Sequence, residues 1–250
     1  MEFIIDNLKY TTLETAGTVS VKPVSGATYT DLVIPATVEY EGTVYTVAQV
    51  PTNAFHNAQI STLTLPSGIE LGYGCFDGAT MTAVYFSGPV VFANNSFRDC
   101  DSLLSVNIPA GTNINSVSYA FGYCDSLTEV TFNEGQQQIG NAIDQCNNLE
   151  TVNLPSTITT LGDVKWYNSK ITKQIMPFST PVTIASISFP KSTEFQVPAG
   201  SVSAYLADGQ YAKHTVYSMP SIRYISDSSL YREDFYKSGD AVTAPSDPTK

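Results

Sequence analysis

The chain has 250 residues, 42% hydrophobic and only 14% charged, with 23 acidic against 12 basic side chains and a net charge of −11. A chain of this length can bury a sizeable core, and so acidic a surface excludes nucleic acid as a partner, because it would repel a phosphate backbone. No apolar run approaches the ~20 residues that span a bilayer, so this chain carries no predicted transmembrane segment.

The first predicted elements are short strands. Phe3 to Ile5, Leu8 to Thr12 and Thr18 to Val21 read as a meander turning at Asp6 and Asn7. Leu32 to Pro35 looks like an incomplete copy of the unit that follows, and Val38 to Val47 reads as a hairpin turning at Glu41-Gly42. Residues 1–46 are therefore expected to form an N-terminal β cap over an otherwise unpaired strand edge.

From Phe55 to Pro177 the sequence repeats itself. Phe97, Cys100, Asp101, Ser102, Leu103, Val106, Ile108 and Pro109 are matched by Phe121, Cys124, Asp125, Ser126, Leu127, Val130 and Phe132. A third copy reads Ile143, Cys146, Asn147, Asn148, Leu149, Val152, Leu154 and Pro155. Three shorter copies, anchored on Phe55, Phe76 and Trp166, lack one residue in the turn and carry Ala58, Ala79 and Ser169 in place of the cysteine. The anchors are 21, 21, 24, 22 and 23 residues apart. A unit this short cannot bury its own apolar face and must stack on its neighbours, so the run predicts a solenoid.

Within each copy the Val-x-Ile-Pro segment alternates apolar and polar residues as a half-buried strand does, and proline ends it for want of an N–H. One such strand per coil predicts a parallel sheet along one side. An apolar pair ahead of each anchor (Val47 and Val50, Ile114 and Val117, Ile158 and Leu161) predicts short strands or tight turns on the other side. Cys100, Cys124 and Cys146 recur at the repeat length with no Cys-x-x-Cys, so they read as buried, reduced thiols acting as small hydrophobes. A bridge between coils is the alternative.

After the last copy, Phe195 to Pro198, a turn at Ala199-Gly200 and a short helix N-capped by Ser201, with Val202, Tyr205 and Leu206 on its apolar face, predict a C-terminal cap. The expected division is therefore 1–46 as N-terminal cap, 47–217 as solenoid with its C-terminal cap, and 218–250 as linker and partial second module.

The repeated residues resemble the BspA-type leucine-rich repeats of bacterial surface proteins of Bacteroides and relatives. The cap segment from Val197 to Tyr205 is similar to the ending such domains carry. Ile222 to Ile225, Leu230 to Asp234 and Lys237 to Val242 resemble the first half of a Listeria-Bacteroides repeat, whose second half is missing after Lys250. The resemblance implies a β-rich solenoid of about six coils and a role in adhesion.

Chemistry is sparse. His56 and His214 are far apart and read as solvated turn residues, His56 in the position held elsewhere by Asp77, Arg98, Gly122, Asp144 and Tyr167. No phosphate loop, His-Glu-x-x-His or Gly-x-Ser-x-Gly occurs. Gly72, Gly74 and Gly78 miss the dinucleotide spacing by one residue and read as a coil turn. Asp101, Asp125 and Asn147 read as a turn-stabilising ladder, with a bound calcium ion as the alternative. No cofactor or metal site and no catalytic residue is assigned.

The candidate binding face is the outward side of the parallel sheet. One column reads Thr62, Ala83, Ser105, Glu129, Thr151, Lys173, and the other Thr64, Tyr85, Asn107, Thr131, Asn153, Ile175. Tyr85 is its one aromatic anchor and Glu129 its one acid.

The leading reading is a non-enzymatic recognition or adhesion module, monomeric, of a cell-surface or secreted bacterial protein that binds a protein or glycan on a host or neighbouring cell. Met1 to Tyr10 lack the basic start and apolar run of a secretory signal, so a bacteriophage virion fibre or decoration protein is the alternative. A glycan-acting enzyme comes third, since it needs two acids about 5–10 Å apart in a cleft.

Overall fold

The computed structural model describes residues 1–114, 116–166, 168–186 and 189–219, together with the strands at 222–224 and 230–232. It divides into two units, Met1–Ile171 with Val182–Pro190 and Thr172–Pro181 with Lys191–Lys250.

In the first unit β1 (Glu2–Ile5), β2 (Leu8–Thr12) and β3 (Thr18–Pro23) form the expected meander. Asp6 and Asn7, both at positive φ, make the two-residue turn that such a hairpin favours. β4 (Tyr29–Val33) leaves this sheet and pairs in parallel with the first coil strand, while β5 (Thr37–Tyr40) and β6 (Thr43–Val50) form the hairpin turning at Glu41-Gly42. β6 joins the cap to the coils because it pairs in parallel with both β3 and β8 (Glu70–Leu71). Here Phe3 is buried against Tyr10, Tyr40 and Tyr45.

The main sheet continues from β4 through β7 (Ile60–Leu65), β9 (Ala83–Phe86), β10 (Ser105–Ile108), β11 (Glu129–Phe132) and β13 (Thr151–Asn153), all parallel. A second, shorter set of parallel strands lies ahead of the anchors, as the apolar pairs predict. β8 belongs to it, and β12 (Gln138–Ile139) pairs with β14 (Thr160–Asp163). Next in chain order come β15 (Lys173–Ile175), part of the second unit, and β16 (Thr183–Ser186), which pairs with β14.

All six anchors are buried, none more than 2% exposed, as are Leu103, Leu127 and Leu149 and the Val106, Val130 and Val152 ladder. Phe55, Phe76, Phe97 and Phe121 stack ring on ring at 5.1, 5.1 and 5.0 Å. That spacing is close to the ~4.8 Å between paired strands, so one repeat distance serves both the sheet and the aromatic column.

The backbone around each anchor forms a ladder. Asn53, Phe55 and Asn57 donate N–H groups to the carbonyls of Tyr73, Cys75 and Asp77 in the next coil. Gly74, Phe76 and Gly78 donate to Asn94, Ser96 and Arg98. Asn95, Phe97 and Asp99 donate to Ser118, Ala120 and Gly122, and Tyr119, Phe121 and Tyr123 donate to Asn141, Ala142 and Asp144. All twelve bonds run in one direction along the chain, at 2.7 to 3.1 Å. The residues two before and two after each of these four anchors are all left-handed, with φ from 53° to 70°. Interleaving left-handed residues turns successive amides to one side, which lets alternate N–H groups aim at one neighbour. In the Phe97 copy the left-handed residue after the anchor is Asp99, and Tyr123 and Gln145 hold that position in the next two copies.

The cysteines have a more specific role than filling space. In the short copies Ala58, Ala79 and Ser169 close the turn by donating their N–H to the anchor carbonyl of their own coil. The long copies have an extra residue, and there the thiols of Cys100, Cys124 and Cys146 donate instead to the anchor carbonyls of the preceding coils, Phe76, Phe97 and Phe121, at 3.2, 3.2 and 3.0 Å. Cysteine therefore goes with turn length. All four cysteines are free and buried. Burial pushes the thiols of Cys75 and Cys124 far up, and the neighbouring Cys124 thiol, then burial, does the same to Cys146. Since the thiolate is the reactive form, a thiol reagent is expected to modify none of the four rapidly under native conditions and all four after denaturation without reductant. Rapid native labelling would contradict this packing.

In the second unit β15, β17 (Glu194–Val197) and β18 (Thr215–Ser218) form a parallel sheet, with the six-residue helix α1 (Val202–Ala207) between the last two in sequence. Phe195, Tyr205 and Tyr211 are its aromatic core, packed edge to face. Ser201 stands at the N-cap as expected, but its backbone is already helical and its hydroxyl makes no capping bond. It is buried, and its carbonyl takes the Ala204 and Tyr205 amides instead. β19 (Ile222–Tyr224) and β20 (Leu230–Arg232) pair antiparallel. The rest of the partial module expected at 218–250 lies outside the described residues, apart from Ser218 and Met219.

Candidate recognition surface

In the main sheet the register aligns Thr62, Ala83, Ser105, Glu129 and Thr151 in one column, and Thr64 with Tyr85 and Asn107 with Thr131 and Asn153 in the other. Ser105, Asn107, Glu129, Thr151, Asn153 and Tyr85 are exposed, while Thr62, Thr64, Ala83 and Thr131 are half-buried. Lys173 and Ile175 are exposed on β15 of the second unit, with the Lys173 ammonium 5.8 Å from the Tyr217 ring centroid.

The face is larger than the repeats alone suggested. β4 adds Asp31 beside Thr62 and Val33 beside Thr64, both exposed. Glu129 is therefore not the only acid on this face. Asp31 lies on a strand that precedes the repeat and lacks the anchor motif, so the repeat pattern does not place it on the face. Its carboxylate accepts a hydrogen bond from the Thr62 hydroxyl at 2.5 Å. Four strands away the Asn153 amide donates to both Glu129, at 2.8 Å, and Thr131, at 2.9 Å. Both outer parts of the sheet are thus tied by their own side chains.

The middle is different. Beyond the C-terminal ends of β9, β10 and β11 lies an open groove of about 530 Å³, lined by Val84, Tyr85, Phe86, Asn107, Pro109, Ala110, Asn133 and Glu134. Tyr85 is 57% exposed. The Asn133 amide donates to Asn107 Oδ1 at 2.5 Å and to the Ile108 carbonyl at 2.9 Å, fixing the wall between β10 and β11. Glu134 is held by the backbone N–H and the hydroxyl of Ser156, at 3.0 and 3.1 Å, and the Ser156 backbone bond keeps its pKa below the usual carboxylate range. Asn133 and Glu134 were not among the sequence candidates. The available signal was Asn133 itself, which stands where the preceding coil has the strand-ending Pro109.

Two expected turn residues prove to be packed. Asp144 is fully buried, its carboxylate accepting the Lys165 backbone N–H at 2.9 Å, so the position shared with His56 is not a solvated one throughout. His56 itself is exposed beside Asn57. His214 is half-buried, its ring edge-on to Phe195 at 5.0 Å and Nδ1 3.2 Å from the Thr193 carbonyl, and burial lowers its pKa. In the Asp101, Asp125, Asn147 column the Asn147 amide approaches the Asp125 carboxylate at 3.4 Å. Among the described residues no cluster of three or more histidine, cysteine or acidic side chains is arranged to hold a metal ion, and no helix is long and apolar enough to cross a membrane.

The coil geometry and the comparisons agree. The model of the BspA type leucine rich repeat region matches residues 39–141 and 114–199, in six copies. The chain belongs to the BspA-type leucine-rich repeat family. Among solved structures, the leucine rich repeat protein of T. pallidum aligns over 74% of this chain and 86% of its own, at 19% identity and a TM-score of 0.60. A leucine rich cell surface protein of Faecalibacterium prausnitzii aligns over 94% of this chain but 59% of its own, at 19% identity and a TM-score of 0.55. At such identities these likenesses concern the fold. No curated protein matches the sequence significantly. The BspA-type assignment accounts for the six copies, including the short ones in which alanine or serine replaces cysteine.

Proposed function

We propose that this BspA-type repeat protein is a non-enzymatic recognition or adhesion module of a bacterial cell-surface or secreted protein, and that it binds a protein or glycan through the outward face of its main sheet. The observation that carries this reading is the face itself: six parallel strands in register, presenting two solvent-facing columns on coils that the aromatic stack and amide ladder hold rigid. At ~4.8 Å per strand the columns in the first unit extend roughly 24 Å, a length suited to an extended contact. The surface description of the Faecalibacterium protein supports the location. Residues Thr62, Thr64, Tyr85, Ser105, Asn107, Glu129, Thr131, Thr151 and Asn153 form the proposed surface; β15, which carries Lys173, belongs to the sheet of the second unit.

The test is binding to arrayed host extracellular proteins and glycans by three forms of the chain. A Ser105→Lys, Thr131→Lys double variant is expected to lose the ligand that the unaltered chain retains. A Glu70→Lys, Gln138→Lys double variant, altered at exposed positions of the second set of strands, is expected to keep it. Equal loss in both variants, or retention in the first, would remove the main sheet from the reading.

A further inference from the structure

The groove beside Tyr85 has a chemistry that narrows the ligand, on the premise that the main sheet is the binding face. Its one charged side chain is Glu134. That carboxylate is fixed by a backbone amide and a hydroxyl of Ser156, both neutral, and it forms none of the ion pairs found among the described residues. The nearby face adds Asp31 and Glu129 and, within the first unit, no lysine or arginine in either column. The chain as a whole carries −11. Across the groove Tyr85 leaves more than half of its surface to solvent, a ring face available to a cation. The protein already uses this pairing elsewhere, with the Arg98 guanidinium 5.0 Å from the Tyr123 ring centroid. Asn133 spends its amide N–H groups on Asn107 and Ile108, and its position on the groove wall offers an acceptor oxygen rather than a donor.

We propose that this groove receives an arginine side chain from a basic segment of a protein partner, the guanidinium pairing with Glu134 and lying against Tyr85. Arginine suits the site better than a neutral sugar because the groove's one charge is a fixed carboxylate facing a π face, and the amide N–H groups of Asn107, whose Oδ1 is taken by Asn133, add the only side-chain amide donors of its lining. Glu134 supplies the charge and Tyr85 the stacking surface, while Asn107 and Asn133 hold the wall between them.

The experiment measures binding of an acetylated, amidated Gly-Arg-Gly-Arg-Gly peptide to the full chain, by NMR or calorimetry, at low and high salt. The matching peptide with citrulline in place of arginine is the neutral control. The arginine peptide is expected to bind, to weaken as salt rises, and to lose about tenfold in affinity on Glu134→Gln, which keeps an oxygen for Ser156 but no charge. Tyr85→Ala is expected to weaken it severalfold. Glu14→Gln, an exposed acid in the N-terminal cap, is expected to change nothing. Equal binding of the citrulline peptide would overturn the pairing of a cation with Glu134, and equal losses from Glu14→Gln and Glu134→Gln would overturn the proposal in favour of nonspecific attraction. Binding of a neutral oligosaccharide that depends on Tyr85 but not on the Glu134 charge would overturn it in favour of a glycan site. Either result leaves the broader face reading standing, because that reading is tested by the lysine variants on Ser105 and Thr131.

Discussion

Replacing Phe97 by alanine is expected to destabilise the protein by about 3–5 kcal/mol, the usual cost of emptying a buried aromatic site. Phe97 is fully buried and sits at the centre of the ring stack, 5.1 Å from Phe76 and 5.0 Å from Phe121, with Phe86 and Phe92 edge-on at 6.3 and 6.2 Å. The cavity opens between two coils at once and cannot collapse easily, because the amide ladder fixes the distance between them. Phe97→Leu retains much of the volume and is expected to cost less than half as much. Denaturant titration of the two variants checks this, with the midpoint and the slope read separately. A Phe97→Ala loss below about 1 kcal/mol would be incompatible with a shared core.

The second large effect is expected at Gly72. A Cβ built there would stand 2.5 Å from the Thr52 nitrogen, 2.7 Å from the Pro51 carbonyl carbon and 2.9 Å from the Val50 oxygen, all backbone atoms. The Gly72 N–H donates to that same Val50 oxygen at 2.8 Å, so the two coils cannot part without losing the bond. Gly72→Ala is expected to cost about 1–3 kcal/mol through overpacking. Gly111, at φ +77° with open space where a Cβ would be, is the control. Gly111→Ala carries only the left-handed penalty of about 1–2 kcal/mol, and it should leave the contact between neighbouring coils undisturbed. Thermal melts, together with amide hydrogen exchange of Gly72, separate the two cases. Exchange accelerated at the amide of residue 72 in the Gly72→Ala variant, and unchanged there in the Gly111→Ala variant, is the expected pattern.

The periodic features of this fold were legible because one physical demand recurs in the same residue type. Phe55, Phe76, Phe97 and Phe121 all fill the same slot, and Val106, Val130 and Val152 all face inward from a strand, so burial could be read from spacing alone. The left-handed turn was not legible, since Asn57, Gly78, Asp99, Tyr123 and Gln145 share a backbone conformation but no side-chain chemistry. The thiol bonds were hidden for the opposite reason. The cysteine column was plain, but its acceptors are backbone carbonyls, which sequence does not display. The binding face was read in outline from alternation. Asp31 and Val33 were missed because β4 joins the sheet from outside the repeat, and Asn133 and Glu134 because they follow a strand whose terminal proline is absent. The packing of His214 depends on Phe195 and Thr193, nineteen and twenty-one residues earlier, and no local pattern announces it.

Because every rung of the amide ladder points the same way, the coils at Phe76, Phe97 and Phe121 each donate to the next coil from the anchor and the residues two before and two after it, and each accepts from the preceding coil through the carbonyls three before, one before and one after the anchor. Two cut surfaces made anywhere in this run are therefore complementary, and a coil can be copied or excised as a whole without creating a mismatched seam. The length of the face is thus open to adjustment by gene duplication in steps of one strand, while the groove beside Tyr85, which draws on three successive strands, sets the smallest block that must be inherited intact.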